Sequence, residues 1–144
     1  MFSVIFEVNR KSDHLAEYLD LAKYLKPILV KIDGFVDNER IESQLRKGWL
    51  LSHSTWRDEK SVVRWRAEGE HHGVQEKSRF QIFQDYHLRV GEVVSDTAPP
   101  ANAPVHEPHF DETEAGELNK SGFMGHDVRK SINAEGKRAL LCAW

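Results

Sequence analysis

The feature that most constrains this chain is the order of its hydrophobic periods. Within the first 95 residues the period switches from two to about 3.6 and back, in the order strand, helix, strand, strand, helix, strand. Phe2, Val4 and Phe6 alternate with Ser3, Ile5 and Glu7, which gives a strand over Phe2 to Asn9 with one strongly apolar side. Ser12 or Asp13 can cap the helix that follows, where Leu15, Leu19, Ala22, Leu25 and Leu29 form one apolar stripe. Pro27 lacks the N–H owed to the Lys23 carbonyl, so a kink or a fresh turn is predicted there. Asp33-Gly34 stops the helix, and Phe35 to Ile41 and Trp49 to Trp56 read as two strands joined by the turn Gln44 to Gly48, a hairpin. Asp58 caps a second helix through Val62 and Trp65, with Gly69 and Gly73 as plausible breaks, and Tyr86 to Val94 is a final strand.

From residue 96 the character changes. Asp96 to Pro104 is rich in proline and Glu107 to Glu117 is acidic and poor in large apolar groups, as extended or flexible segments are. Residues 96–144 carry five basic and eight acidic side chains, so the whole formal charge of −3 lies there and the preceding region is neutral. The expected division is therefore a domain over 1–95 and a Pro-rich acidic linker and tail over 96–144. The apolar end, Ala139 to Trp144, either docks on the domain, extends its sheet, packs on or swaps onto a partner subunit, recruits another protein or stays without fixed structure. A neutral domain offers no basic field to nucleic acid or to an anionic membrane surface. The lone Cys142 and an opening segment without a basic, apolar leader lead to the expectation of a cytoplasmic protein.

The order β-α-β-β-α-β is the ferredoxin-like α+β arrangement, which leaves one face of an antiparallel sheet without helices. Within it, Asp33-Gly34-Phe35, Ser54-Thr55-Trp56-Arg57-Asp58-Glu59-Lys60, Trp65-Arg66, Glu70-His71-His72-Gly73-Val74-Gln75 and Phe83-Gln84-Asp85-Tyr86-His87-Leu88-Arg89-Val90 form an ordered set. That set resembles the antibiotic-biosynthesis monooxygenase superfamily, in particular its haem-degrading-monooxygenase-like branch. The resemblance implies a homodimer whose bare sheet faces pack into an α+β barrel, with a pocket in each subunit between sheet and helices.

The resemblance also implies site residues. The haem-degrading branch uses an asparagine late in the first strand, a tryptophan on the second main helix and an iron-ligating histidine ten residues later. Asn9 matches the first and Trp65 the second, but Gln75 occupies the histidine's position, and glutamine is a poor iron ligand. His71 lies one helical turn earlier. Related members oxidise small aromatic molecules without metal or flavin, with the substrate anion itself reducing oxygen; histidine suits the proton transfer this needs. The candidates are thus Asn9, Trp65 and His71 as catalytic residues and His72, Gln75 and Phe83 as substrate-binding ones, with haem as the only cofactor the resemblance suggests. Each has a structural alternative: Asn9 as a strand-end residue, Trp65 as core, the histidines as helix-surface groups. His106, Glu107, His109 and Asp111 lack any recognised metal-ligand spacing, so no metal site is assigned. The function expected is a monooxygenase acting on a small aromatic or haem-like molecule; the alternative is a non-catalytic small-molecule-binding or scaffolding dimer.

Overall fold

A computed structural model describes residues 1–11, 13–94, 96, 98–101, 125–132, 135 and 138–143. The elements are β1 (Phe2–Arg10), α1 (Leu15–Leu29), β2 (Phe35–Ser43), β3 (Trp49–Trp56), α2 (Glu59–Ala67), α3 (Gly69–Gln81), β4 (Phe83–Glu92), β5 (Gly125–Ser131) and β6 (Arg138–Ala143). The strands form one sheet in the order β4-β1-β3-β2-β5-β6, and every pairing among the described residues is antiparallel. The first four strands and their helices give the α+β, ferredoxin-like order expected from the hydrophobic periods. None of the described helices is long and apolar enough to cross a membrane.

The helix ends differ from expectation in instructive ways. Asp13 does not cap α1: its φ of +70 places it in the left-handed region, and His14 occupies the cap position, its ring bonded to the Glu17 carboxylate at 2.9 Å and not to a backbone N–H of the helix. Ser12 lies outside the described residues. The helix runs through Pro27 to Leu29 because the proline falls in its last turn, where little helix remains to be disrupted. The predicted break in the second helix occurs at Glu68, whose ψ of 127 separates α2 from α3 and whose carboxylate accepts from the His71 N–H. Glu68 thereby ends one helix and caps the next. At the start of α2, Asp58 accepts from both the backbone N–H and the hydroxyl of Ser61.

Gly34 shows why the Asp33-Gly34-Phe35 motif is tied to α2. It has a φ of +86, and a Cβ at that position would lie 1.9 Å from the buried Ser61 Oγ. Backbone conformation and close approach both exclude a side chain there. Arg57 then clamps the same corner through paired bonds to Asp33, at 2.9 and 2.8 Å.

The tail contributes to the sheet. β5 pairs with β2 over Ile41 to Ser43, and β6 continues as a hairpin with β5. Of the alternatives for the apolar end, the structure shows extension of the sheet, as far as Ala143. Trp144, Thr97 and residues 102–104 of the Pro-rich stretch, and the acidic Glu107 to Glu117 segment, with His106 and His109, lie outside the described residues.

Packing on the helix side explains where a cavity forms. β1 presents Phe2, Val4, Phe6 and Val8 to the helices, and the register aligns them with Trp56, Ser54, Ser52 and Leu50 of β3. The large β3 residues anchor two separate core clusters. Val8, Tyr18, Leu50, Ile82 and Phe83 form one; Leu29, Trp56 and Val62 form the other. Between them β3 offers only serines and β2 offers Asn38 and Arg40, so the middle of the core is left unfilled.

Candidate active site

The unfilled space is a cavity of about 160 Å³ between the sheet and all three helices. An apolar cavity of about 150 Å³ accommodates a molecule the size of benzene, so this one suits a single ring with a short arm. Its floor is Val4 and Phe6 of β1 with Asn38, Arg40, Ser52 and Ser54; Trp65, His71 and Gln75 line the helix side, and Phe83 of β4 lies at one end.

His71 is held at one ring face and at both nitrogens. Its ring stacks on Trp65 with centroids 4.0 Å apart and planes 18° apart, and Trp65 in turn stacks on Trp56 at 6.5 Å. Nδ1 lies 3.0 Å from the Trp65 carbonyl oxygen, which can only accept, so Nδ1 carries the proton. Nε2 is then a lone pair, and the Gln75 amide donates to it at 3.2 Å. Burial pushes the imidazole pKa down, while the Trp65 carbonyl and the Glu68 carboxylate pull it up less strongly. The side chain is a neutral imidazole with a fixed tautomer whose basic nitrogen shares the cavity wall with Gln75.

The break at Glu68 creates this arrangement. In one continuous helix, His72 would share a face with Val62 and Trp65, because about 100° per residue brings them together. Restarting the helix at Gly69 turns His71, Val74, Gln75 and Ser78 toward the cavity instead. His72 points outward, its side chain 66% exposed and 3.9 Å from Glu76.

Of the six residues singled out from sequence, Trp65, His71, Gln75 and Phe83 come together around the cavity. Phe83 is a buried core residue whose ring lies 5.7 Å from Phe6 and 6.2 Å from Tyr18. His72 and Asn9 are not in the lining. Asn9 is displaced by strand alternation: Val4, Phe6 and Val8 face the helices, so Ser3, Ile5, Glu7 and Asn9 face the other way. Its side chain lies against Gly48 in the β2–β3 turn.

Tyr18, Asn38 and Arg40 also line the cavity, and sequence reasoning missed them. A signal was present: Asn38, Arg40, Ser52 and Ser54 are polar at the positions where these strands turn toward the helices. Polar groups on a core-facing register mark either a bonded network or a space. Both occur here, since Asn38 donates to Ser52 Oγ at 3.0 Å and to the His53 carbonyl at 2.8 Å. The Tyr18 phenol is pushed above its ordinary pKa by burial, against the pull of the neighbouring Arg40 guanidinium, and stays a neutral O–H.

The site does not fit haem. Gln75 offers an amide where the ligand histidine is expected, His72 points away from the cavity, and a space of about 160 Å³ that suits a single ring cannot seat a porphyrin. Among the described residues, no three His, Cys, Asp or Glu side chains converge on a point where a metal ion would be held.

The opposite face of the sheet has a different kind of centre. Glu7 is 4% exposed and accepts from Arg46 at 2.7 Å, from Arg89 of β4 and from Arg129 of β5. Burial alone would raise its pKa; the three guanidiniums outweigh that and hold it at about 2. Because β2 and β3 separate β5 from β1 in the sheet, the long Arg129 side chain reaches across this face to meet Glu7.

Known proteins share this architecture. Residues 1–77 match the antibiotic biosynthesis monooxygenase family. A curated relative from Pyricularia oryzae, named jasmonate monooxygenase ABM, is 53% identical over 95 residues, which is 66% of this chain and 44% of the relative. The chain thus spans less than half the length of that relative. Among solved structures, a Mycobacterium tuberculosis protein superposes with a TM-score of 0.60 at 13% identity, covering 67% of this chain and 98% of that one. A structure described as an antibiotic biosynthesis monooxygenase superposes with a TM-score of 0.57 at 16% identity, covering 65% and 99%; likeness at such identity speaks for the fold alone. With the matching segment covering more than half of the sequence, the chain belongs to the antibiotic biosynthesis monooxygenase family.

Proposed function

We propose that this protein is a monooxygenase that oxidises a small organic molecule in the cavity between sheet and helices, with His71 as the proton acceptor. The observation that carries this reading is the His71 geometry: a neutral imidazole in a defined tautomer, with its basic Nε2 at the cavity wall. A general base must be in the right protonation state and within reach of the proton it takes, and this ring is prepared for the first by burial.

The reaction balances without an external reductant. A substrate with an acidic C–H or O–H loses that proton to Nε2, and the resulting enolate or phenolate gives electrons to O2. A carbon–oxygen bond forms, and the hydroperoxide loses water to leave a carbonyl. A CH2 group and O2 thus become C=O and H2O. Trp65 orients His71 through stacking and its carbonyl; Gln75 directs the Nε2 lone pair and donates to it until the substrate proton arrives. The Phe6, Phe83 and Trp65 surfaces exclude water from the substrate anion.

Jasmonate, a ketone with acidic α-hydrogens, is the first compound to test, because the curated relative carries it in its name. We also read the protein as a homodimer in a reducing compartment, on the basis of the family's barrel architecture and the lone cysteine. Oxygen uptake by purified protein with jasmonate or small phenols tests the enzymatic reading. His71→Ala should reduce it by about 10²-fold or more, in the range of a lost general base. The acid limb of the rate should lie below the ordinary histidine range, pH 6.5, since protonation of His71 removes the base and burial lowers the pH at which that happens. Binding without any oxygen uptake across the panel would support a non-catalytic binding module instead.

A further inference from the structure

The cavity floor holds an arginine without a matching carboxylate. Arg40 lies on β2, opposite Ser52 of β3, and faces the helices. Its Nε is buried and has no hydrogen-bond partner among the described residues. The Tyr18 hydroxyl lies beside the guanidinium and remains protonated. Arg66 and Arg79 line the cavity's exposed rim, Arg79 with its guanidinium 5.4 Å from the centre of the Tyr86 ring. No aspartate or glutamate is among the described residues lining the cavity; Glu42, two residues from Arg40 along β2, is not part of it.

A guanidinium cannot escape this situation by losing its proton, because it stays charged at any pH a protein survives. A charge drawn out of water is costly unless it is paired and hydrogen-bonded. The group that best completes it is a carboxylate, which accepts two parallel N–H bonds from the planar fork. A neighbouring phenol adds a donor to the same oxygen atoms. The cavity therefore combines a cationic group in its floor with an apolar body formed by Phe6, Leu25, Trp65 and Phe83.

We propose that the cavity selects organic anions: a small ring compound bearing a carboxylate, with Arg40 and the Tyr18 hydroxyl receiving the carboxylate and the ring directed toward Trp65 and His71. This rests on the reading of the cavity as the substrate site. It adds a specificity-determining pair, from β2 and α1, to the base on α3. Arg66 and Arg79 at the rim would draw such anions toward the opening.

The test is equilibrium binding by calorimetry, with full-length protein and three pairs of probes: benzoate, phenylacetate and jasmonate, each against its methyl ester. At least one acid is expected to bind at least ten-fold more tightly than its ester. Arg40→Leu should abolish that preference, Arg40→Lys should keep part of it, and Tyr18→Phe should weaken it less than Arg40→Leu does. The acid–ester comparison in the unaltered protein needs no variant to fold. Binding of no acid, equal binding of acid and ester in every pair, or an acid preference that survives in a folded Arg40→Leu protein would each overturn the proposal. Failure of the oxygenase reading appears differently: acids bind selectively and no oxygen is consumed.

Discussion

The two faces of the sheet solve the problem of burial in opposite ways. Toward the helices, β1 presents Phe2, Val4, Phe6 and Val8, and the core closes by apolar contact except where Ser52 and Ser54 leave it open. On the other side, one residue out of phase, the same strand presents Glu7 to three arginines drawn from the β2–β3 turn, β4 and β5. One face has a hole suited to a small molecule. The other has a charge centre whose partners all come from the protein. A single β1 strand serves both, because its side chains alternate.

The largest difference between the faces should appear on truncating their central residues. Trp56, fully buried between Phe35 and Trp65, anchors the helix side, and Trp56→Ala should cost about 4 kcal/mol, as large-to-small aromatic changes in cores do. Chemical denaturation checks this; a loss under 1 kcal/mol would mean that the helix layer is not packed on the sheet as described. On the far face, Glu7→Gln should cost roughly 3 kcal/mol at neutral pH, because it removes a buried carboxylate that the fully buried Arg129 and the half-exposed Arg46 and Arg89 all bond. The charge centre also sets an acid limit. Glu7 has a folded pKa of about 2 against an ordinary value of 4.5, so the stability it confers is complete above pH 4.5 and is lost as pH falls toward 2. Glu7→Gln should flatten that part of the stability–pH profile; an unchanged profile would assign acid sensitivity to other groups.

Much of the first face was legible in the sequence. Alternation in β1, the stripe on α1 and the Asp33-Gly34 stop gave the element order. Trp65, His71, Gln75 and Phe83 were singled out from resemblance and lie around one cavity. Asn9 shows the limit of such matching: a motif position late in a strand says nothing about which face it occupies unless the register is known. His72 was not separable from His71 because the phase of α3 depends on the break at Glu68, a residue with no strong breaking propensity of its own. Arg40 and Tyr18 escaped notice because each looks ordinary alone, and only the β2–β3 register places Arg40 opposite a serine in the core. The Glu7 cluster was beyond reach for another reason. It joins residues 7 and 129, and nothing local announces that pairing.

Smaller effects sharpen the comparison. Ser52→Val should fill part of the cavity and lower ligand affinity at least ten-fold while changing stability by less than about 1 kcal/mol, since a valine there gains apolar contact and loses one accepted bond. A variant that binds as before would place the ligand elsewhere. His72→Ala should change neither stability by more than about 0.5 kcal/mol nor oxygen uptake, because its side chain is directed to solvent.

The central claim is that the chemistry belongs to the helix-side cavity and that His71 performs its proton transfer. It is tested most directly by oxygen-uptake rates of His71→Ala and Asn9→Ala measured side by side on one turned-over substrate. A loss of about 10²-fold or more for His71→Ala, with Asn9→Ala within about two-fold of the unaltered protein, is predicted. The reverse pattern would contradict the account and move the site to the other face of the sheet.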